Sequence, residues 1–114
     1  MVELESHSHL SEIFKAVSDP TRRAILTLLA QNGPLRVTQI ADHFDFSLNA
    51  ISKHIKVLEK ARLVMRRTEW REHLIEINLS PLHQIDDWFA GLRSIWALRL
   101  GDLDDLLTQE KNND

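Results

Sequence analysis

Apolar residues recur along the first half of the chain at the spacing of helix faces. Leu10, Ile13, Phe14 and Val17 fall three, one and three positions apart, on one side of a helix that begins after Ser8 or Ser11. Asp19-Pro20 interrupts it. A proline fits the first turn of a helix, where its missing N–H has no partner to lose, so a second helix starts there. It carries Ile25, Leu26, Leu28 and Leu29 and stops at Asn32-Gly33-Pro34. A short third helix runs through Val37, Ile40, Ala41 and Phe44. Phe44-Asp45-Phe46 reads as a tight turn, and Ser47 as the N-cap of a fourth helix from about Leu48 to Ala61.

The period then changes. Val64 to Arg67 and His73 to Ile77 read as two short strands around Thr68–Glu72, a hairpin. Ser80-Pro81 opens a last, long helix that reaches about Lys111. The order is helix, helix, helix, turn, helix, hairpin, helix. That predicts a mainly α fold with a small β-hairpin: a helix-turn-helix over residues 37–61, a wing over 64–78 and a long helix over 81–110. At 114 residues the chain fits a single domain, 1–114.

The last helix is more apolar than a lid needs to be. Leu82, Phe89, Trp96 and Leu103 repeat every seven residues, as do Ile85, Leu92, Arg99 and Leu106, where Arg99 is the one break. Trp88, Ile95 and Leu98 widen the stripe. The plain alternative is a helix that only covers its own core. The simplest partner is the same helix in a second subunit, helped by Leu10 and Phe14 of the first helix. The interface then comprises Leu10, Phe14, Leu82, Ile85, Trp88, Phe89, Leu92, Ile95, Trp96 and Leu103. Gly101 should bend or fray the helix, at a cost of about 1 kcal/mol relative to Ala.

Charge separates the chain into unlike parts. The net charge is −3. Residues 1–19 hold Lys15 against four acids, and residues 72–114 hold Arg93, Arg99 and Lys111 against nine. Residues 20–71 hold ten basic side chains against Asp42, Asp45, Glu59 and Glu69. A basic middle between acidic ends points to one surface that meets a polyanion.

The fourth helix shows what that surface could read. Ile51, Ile55, Leu58 and Arg62 share one side of a helical wheel, and Asn49, Lys53, Lys56 and Lys60 share the other, with Ser52 on the flank. Asn pairs with adenine N6 and N7, and Lys donates to guanine O6 and N7 or to phosphate. His54 sits between the faces, where a local hydrogen bond is the plainer reading. Arg66, Arg67 and Arg71 on the hairpin suit phosphate or minor-groove contact. Thr38 and Gln39 open the third helix as phosphate binders or simple caps. Arg22 and Arg23 open the second helix, suited either to a phosphate contact or, for one of them, to pairing with Asp19 or Glu12. Trp70 at the hairpin tip should contact its own domain, a partner subunit or DNA, with packing inside the protein the favoured reading. His7 and His9 read as solvated.

These segments resemble the ArsR family of winged-helix transcriptional regulators. Ser18-Asp19-Pro20-Thr21-Arg22-Arg23-Ala24-Ile25-Leu26 is similar to the family's D-P-T-R-x-x-I-L opening of the second helix. Ala50 to Leu58 with Ala61-Arg62-Leu63-Val64 is similar to its recognition helix, S-x-H-L-x-x-L-x-x-A-G-L-V. Arg66-Arg67 through Arg71 is similar to the wing's R-R-x-G-R. The resemblance covers roughly residues 11–80 and implies a homodimer on double-stranded DNA. Glycine is usual after the recognition helix and at the wing, where this chain has Arg62 and Trp70. The family's arsenic and cadmium sensors carry Cys-x-Cys in the third helix. This chain has no cysteine, so thiolate sensing, disulfides and a cysteine nucleophile are excluded. His83, Asp86 and Asp87 share a helix face but are too few for a zinc site unless a second subunit supplies more ligands.

The remaining patterns are negative. No run of about 18 apolar residues spans a membrane, and the start lacks the features of a signal peptide. The six histidines are scattered, and no H-E-x-x-H, G-x-S-x-G or glycine-rich phosphate loop occurs. The reading is a non-enzymatic, cytoplasmic, sequence-specific DNA-binding regulator, a homodimeric repressor on an inverted repeat, with no cofactor and no metal. Its DNA contacts are Thr38, Gln39, Ser47, Asn49, Ser52, Lys53, His54, Lys56, Arg66, Arg67 and Arg71. No residue pattern identifies an inducer. The alternative is a winged helix that docks another protein without reading DNA. Residues 53–71 speak against it, with seven basic side chains and two acidic ones.

Overall fold

The structure, a computed structural model, describes the backbone of residues 2–112 and the side chains of residues 9–109. Its elements are α1 (Val2–Val17), α2 (Pro20–Asn32), α3 (Val37–Ala41), α4 (Leu48–Lys60), β1 (Val64–Glu69), β2 (Glu72–Ile77) and α5 (Leu82–Asn112). They fall into two compact units, residues 1–83 and 84–114.

In the first unit, local chemistry sets the element ends. Asp19 caps α2, its Oδ2 accepting from the Arg22 N–H at 3.0 Å, and Pro20 fills the first helical position. Gly33 closes α2 at φ 79°, a left-handed conformation that glycine adopts without a Cβ clash, and its N–H donates to Leu29 O at 2.9 Å. Ser47 Oγ accepts from the Ala50 N–H at 3.1 Å and starts α4 where the sequence places it. α1 begins at Val2, so neither Ser8 nor Ser11 starts it. α3 stops at Ala41 rather than Phe44. There His43 and Phe44 donate three residues back, to Ile40 and Ala41, and the chain tightens out of the α-helix.

The core is apolar throughout. Ile13 and Ala16 of α1, Ile25 and Leu29 of α2, Ile40 of α3, Ile51, Ile55 and Leu58 of α4, and Ala61, Leu63, Val64, Leu74 and Ile75 are buried. Among the described residues no polar or charged side chain joins them. Each large side chain so buried contributes about 1.5–3 kcal/mol relative to leaving it in water.

β1 and β2 pair antiparallel from Val64↔Ile77 to Glu69↔Glu72. The loop is therefore only Trp70 and Arg71, not the Thr68–Glu72 turn the sequence suggests, because ladder bonds form regardless of side-chain polarity. Trp70 has φ 60° and Arg71 does not, the φ signs of a type II′ hairpin turn. Leu35, between α2 and α3, bonds Ile75 in both directions at 3.1 and 2.7 Å and ties that loop to the hairpin.

α4 ends in a Schellman turn. The Leu63 N–H donates to Leu58 O at 3.0 Å and the Arg62 N–H to Glu59 O at 2.9 Å, with Leu58 and Leu63 both buried. Arg62 takes the left-handed position at φ 62°, where a side chain costs about 1 kcal/mol or more. The helical wheel places Arg62 inward with Ile51, Ile55 and Leu58. The structure corrects this: the helix has ended, and Arg62 is exposed. His9 also departs from the sequence reading. It is half-buried, and its Nε2 lies 3.3 Å from Ala61 O, because α1 crosses the end of α4. The His7 side chain lies outside the described ones.

The second unit is α5 beyond its first residues. Helical backbone continues through Gly101, so the helix does not fray there. Glycine adopts helical dihedrals, and its propensity cost is small beside a 31-residue run rich in leucine. Leu82 and Ile85 are half-buried. Trp88, Phe89, Leu92, Ile95, Trp96, Leu98, Leu103 and Leu106 are exposed in the single chain. Trp88 and Phe89 meet edge to face, ring centres 5.1 Å apart. Among the described residues no helix is long and apolar enough to cross a membrane.

Candidate nucleic-acid interface

α4 turns Ile51, Ile55 and Leu58 into the core, which obliges the residues half a turn away to face outward. Asn49, Lys53 and Lys56 are exposed, and their side chains have no hydrogen-bond or ion-pair partner among the described residues. Ser52 is half-buried on the flank. Lys60 differs from its neighbours, its Nζ lying 3.4 Å from Glu12 of α1.

His54 does take the local role. Its Nδ1 accepts from Arg22 Nη1 at 3.2 Å and lies 3.8 Å from Asp19 Oδ2. Arg22 also donates to Ala16 O at 2.8 Å and Lys15 O at 2.9 Å. One guanidinium thus joins the last carbonyls of α1, the start of α2 and the middle of α4. Arg22 therefore serves the fold, but through carbonyls and His54 rather than through an ion pair with Asp19 or Glu12. Arg23 donates to Val17 O at 2.7 Å. The hydrogen bond from the Arg22 backbone N–H holds the Asp19 carboxyl below its ordinary value; burial opposes it, and the nearby charges of His54 and Arg22 add smaller downward effects.

At the entrance to α3, Thr38 is exposed and Gln39 half-buried. Gln39 Oε1 accepts from the Arg36 N–H at 2.9 Å, a capping use of the side chain.

The wing is electrically unlike α4. Arg66 Nε donates to both carboxylate oxygens of Glu59 at 3.1 Å, and its Nη2 lies 2.9 Å from Oε1. Arg67 reaches Glu69 at 2.8 Å and Glu76 at 3.2 Å. The hydrogen bond to Glu69 and the charge of Glu76 raise the Arg67 pKa above its ordinary value. Arg71 is exposed without a partner among the described residues. Trp70 is 92% exposed, which overturns packing against its own domain.

Two residues of this surface escape a sequence reading. Glu59 looks like a stray acid on a basic helix, yet it clamps the wing to α4. Arg62 adds an exposed cation, without a partner among the described residues, just past the helix end. The A-R-L-V run after the helix, with a buried Leu either side of the turn, is the signal that could have found it. Among the described residues no three His, Asp or Glu side chains converge as a metal site would require.

A capped turn, an outward-facing polar helix and a two-stranded wing define a winged helix-turn-helix. Residues 17–67 match the helix-turn-helix domain family. The chain is 34% identical to the transcriptional repressor SdpR of Bacillus subtilis over 72% of its own length and 90% of that protein's. It is 38% identical to an arsenical resistance operon repressor of Staphylococcus xylosus, over 71% of this chain and 77% of that one. A crystal structure of an ArsR family transcriptional regulator superposes with a TM-score of 0.72 at 33% identity, covering 79% of this chain and 92% of the other. The chain belongs to the ArsR family of winged helix-turn-helix transcriptional regulators.

Proposed function

We propose that the protein represses transcription in the cytoplasm as a homodimer, each subunit laying α4 in the major groove of one half of an inverted repeat. The observation that carries this is the outer face of α4. Asn49, Lys53 and Lys56 stand exposed and unpartnered among the described residues, on a helix whose other side is locked in the core. Asn49 and Lys53 read base edges, and Lys56 with Arg71 binds phosphate. Ser47, Ser52, Thr38 and Gln39 line the approach. His54 holds the helix in place. Arg66 and Arg67 contribute less than their charge suggests, since acids already bind them.

The dimer reading rests on α5. Ile95 is 67% exposed and Trp96 59%, within an apolar stripe that one subunit leaves uncovered. Leu10 and Phe14 of α1 and Leu82 and Ile85 of α5 are assigned to the same dimer contact. The helix-turn-helix, the wing and this dimerisation helix act as one functional domain. Two-fold pairing sets the recognition helices about 34 Å apart, one turn of the duplex. SdpR and the arsenical relative are named repressors, which supports repression over activation. Arsenic sensing through thiolates is not carried over, because the chain has no cysteine.

Selection of duplexes from random DNA with purified protein, followed by anisotropy titrations over salt, tests the reading. An inverted repeat should emerge, with log affinity falling by about 0.9 per neutralised phosphate against log salt. Weak binding indifferent to sequence at physiological salt overturns it. Sedimentation equilibrium of Ile95→Asp tests the dimer: a charge on that face should give monomers, and an unchanged mass would place the interface elsewhere.

A further inference from the structure

We propose that Trp70 is an apolar wedge for DNA: with α4 in the major groove, the wing tip enters the adjoining minor groove and the indole lies against deoxyribose at a flexible pyrimidine–purine step. This rests on the DNA-binding reading above. Two unfavourable features fall on this one residue. The ring is 92% exposed, and the backbone holds φ 60°, a conformation that glycine adopts more readily. The described fold offsets neither, since no ring contact or hydrogen bond reaches the indole.

The surroundings choose the partner. The hairpin stem offers a polyanion little, because Glu59 takes Arg66 and Glu69 with Glu76 takes Arg67. The tip offers one unpartnered guanidinium, Arg71, beside one apolar plate. A lone ring next to an uncompensated cation is a poor match for a protein surface. It suits a minor groove, where phosphates and base-edge acceptors take the guanidinium and sugars or an opened step take the ring. The arm is anchored at both strands. Arg66 clamps β1 to α4 through Glu59, and Leu35 bonds β2 through Ile75.

The test uses the full-length protein and the duplexes that the selection yields. Trp70→Gly should melt at a higher temperature than the parent, since the left-handed strain is relieved, yet bind DNA about tenfold more weakly, with an unchanged salt slope. These opposite signs exclude misfolding as the cause. Trp70→Phe should keep affinity within about threefold. Arg71→Ala should make the salt slope shallower. Indole emission, taken as the difference between the parent and Trp70→Phe, should be quenched on the duplex. Full affinity in Trp70→Gly, or unquenched emission, overturns the proposal. So does a loss confined to dimer association, which would assign the indole to the partner subunit. If the parent binds no selected duplex at physiological salt, the underlying DNA reading fails and takes the wedge with it.

Discussion

α4 and the wing look alike in the sequence, each a short element with three basic side chains. α4 sets Lys53, Lys56 and Lys60 against Glu59; the wing sets Arg66, Arg67 and Arg71 against Glu69, Glu72 and Glu76. On α4 the one acid is turned away to the wing, and two lysines stay unpartnered among the described residues. On the wing, Arg67 is bound by Glu69, two residues on along β1, and by Glu76 of β2, while Arg66 is held by Glu59 of α4, so two of the three arginines are taken. Basic residues count toward a polyanion surface only where the fold leaves them unpaired. Arginines that acids already hold strengthen a hairpin only modestly, because water screens an exposed pair.

The most demanding test of this contrast removes the helix cations. Lys53→Ala with Lys56→Ala should lower duplex affinity by about 10- to 100-fold and flatten the salt slope by about 2–4, since a dimer loses each lysine twice. Next comes the joint between the two regions. Arg62→Gly should stabilise the protein by about 1 kcal/mol, raising the calorimetric midpoint by a few degrees, because glycine suits the left-handed turn that links α4 to β1. Arg66→Ala with Arg67→Ala should change affinity by less than about threefold. A loss as large as that from the lysine pair would erase the distinction between the two surfaces. Glu69→Gln with Glu76→Gln should work the other way. By freeing Arg67 it should raise affinity about twofold and steepen the salt slope.

The smallest effect concerns the brace behind α4. The Asp19 carboxylate is stabilised in the fold, so its contribution is complete above the ordinary value of 3.8 and fades as pH falls through its lower folded value. Urea midpoints should therefore decline on acidification below pH 3.8. Asp19→Asn should remove that part of the decline.

Much of the scaffold was legible because its signals are local. Asp19-Pro20, Asn32-Gly33-Pro34 and Ser47 each act within a turn of their own positions, and all three mark ends that the structure has. The outward placement of Asn49, Lys53 and Lys56 follows from the helical period alone. Arg62 was misplaced because a wheel extends a helix past its real end, and the Schellman turn that ends it relies on buried leucines rather than on glycine. Trp70 was placed indoors on average behaviour. A two-residue loop leaves its first side chain no neighbour to pack against. The Leu35–Ile75 bridge has no periodicity to read, being one residue on each side.

The sequence by itself determined the order of elements, the caps at Asp19, Gly33 and Ser47, the buried side of α4 along its length and the basic character of the middle of the chain. These depend on residues three or four positions apart. Only the tertiary structure decided which charges stay unpaired, which residues accept a left-handed backbone and what His54 holds. Those outcomes turn on partners in different elements, such as Glu59 with Arg66, Arg67 with Glu76 and Arg22 with His54. Ionic and hydrogen-bond energies fall off over a few ångströms, so they are fixed by where the fold brings two groups together, not by the groups' identities.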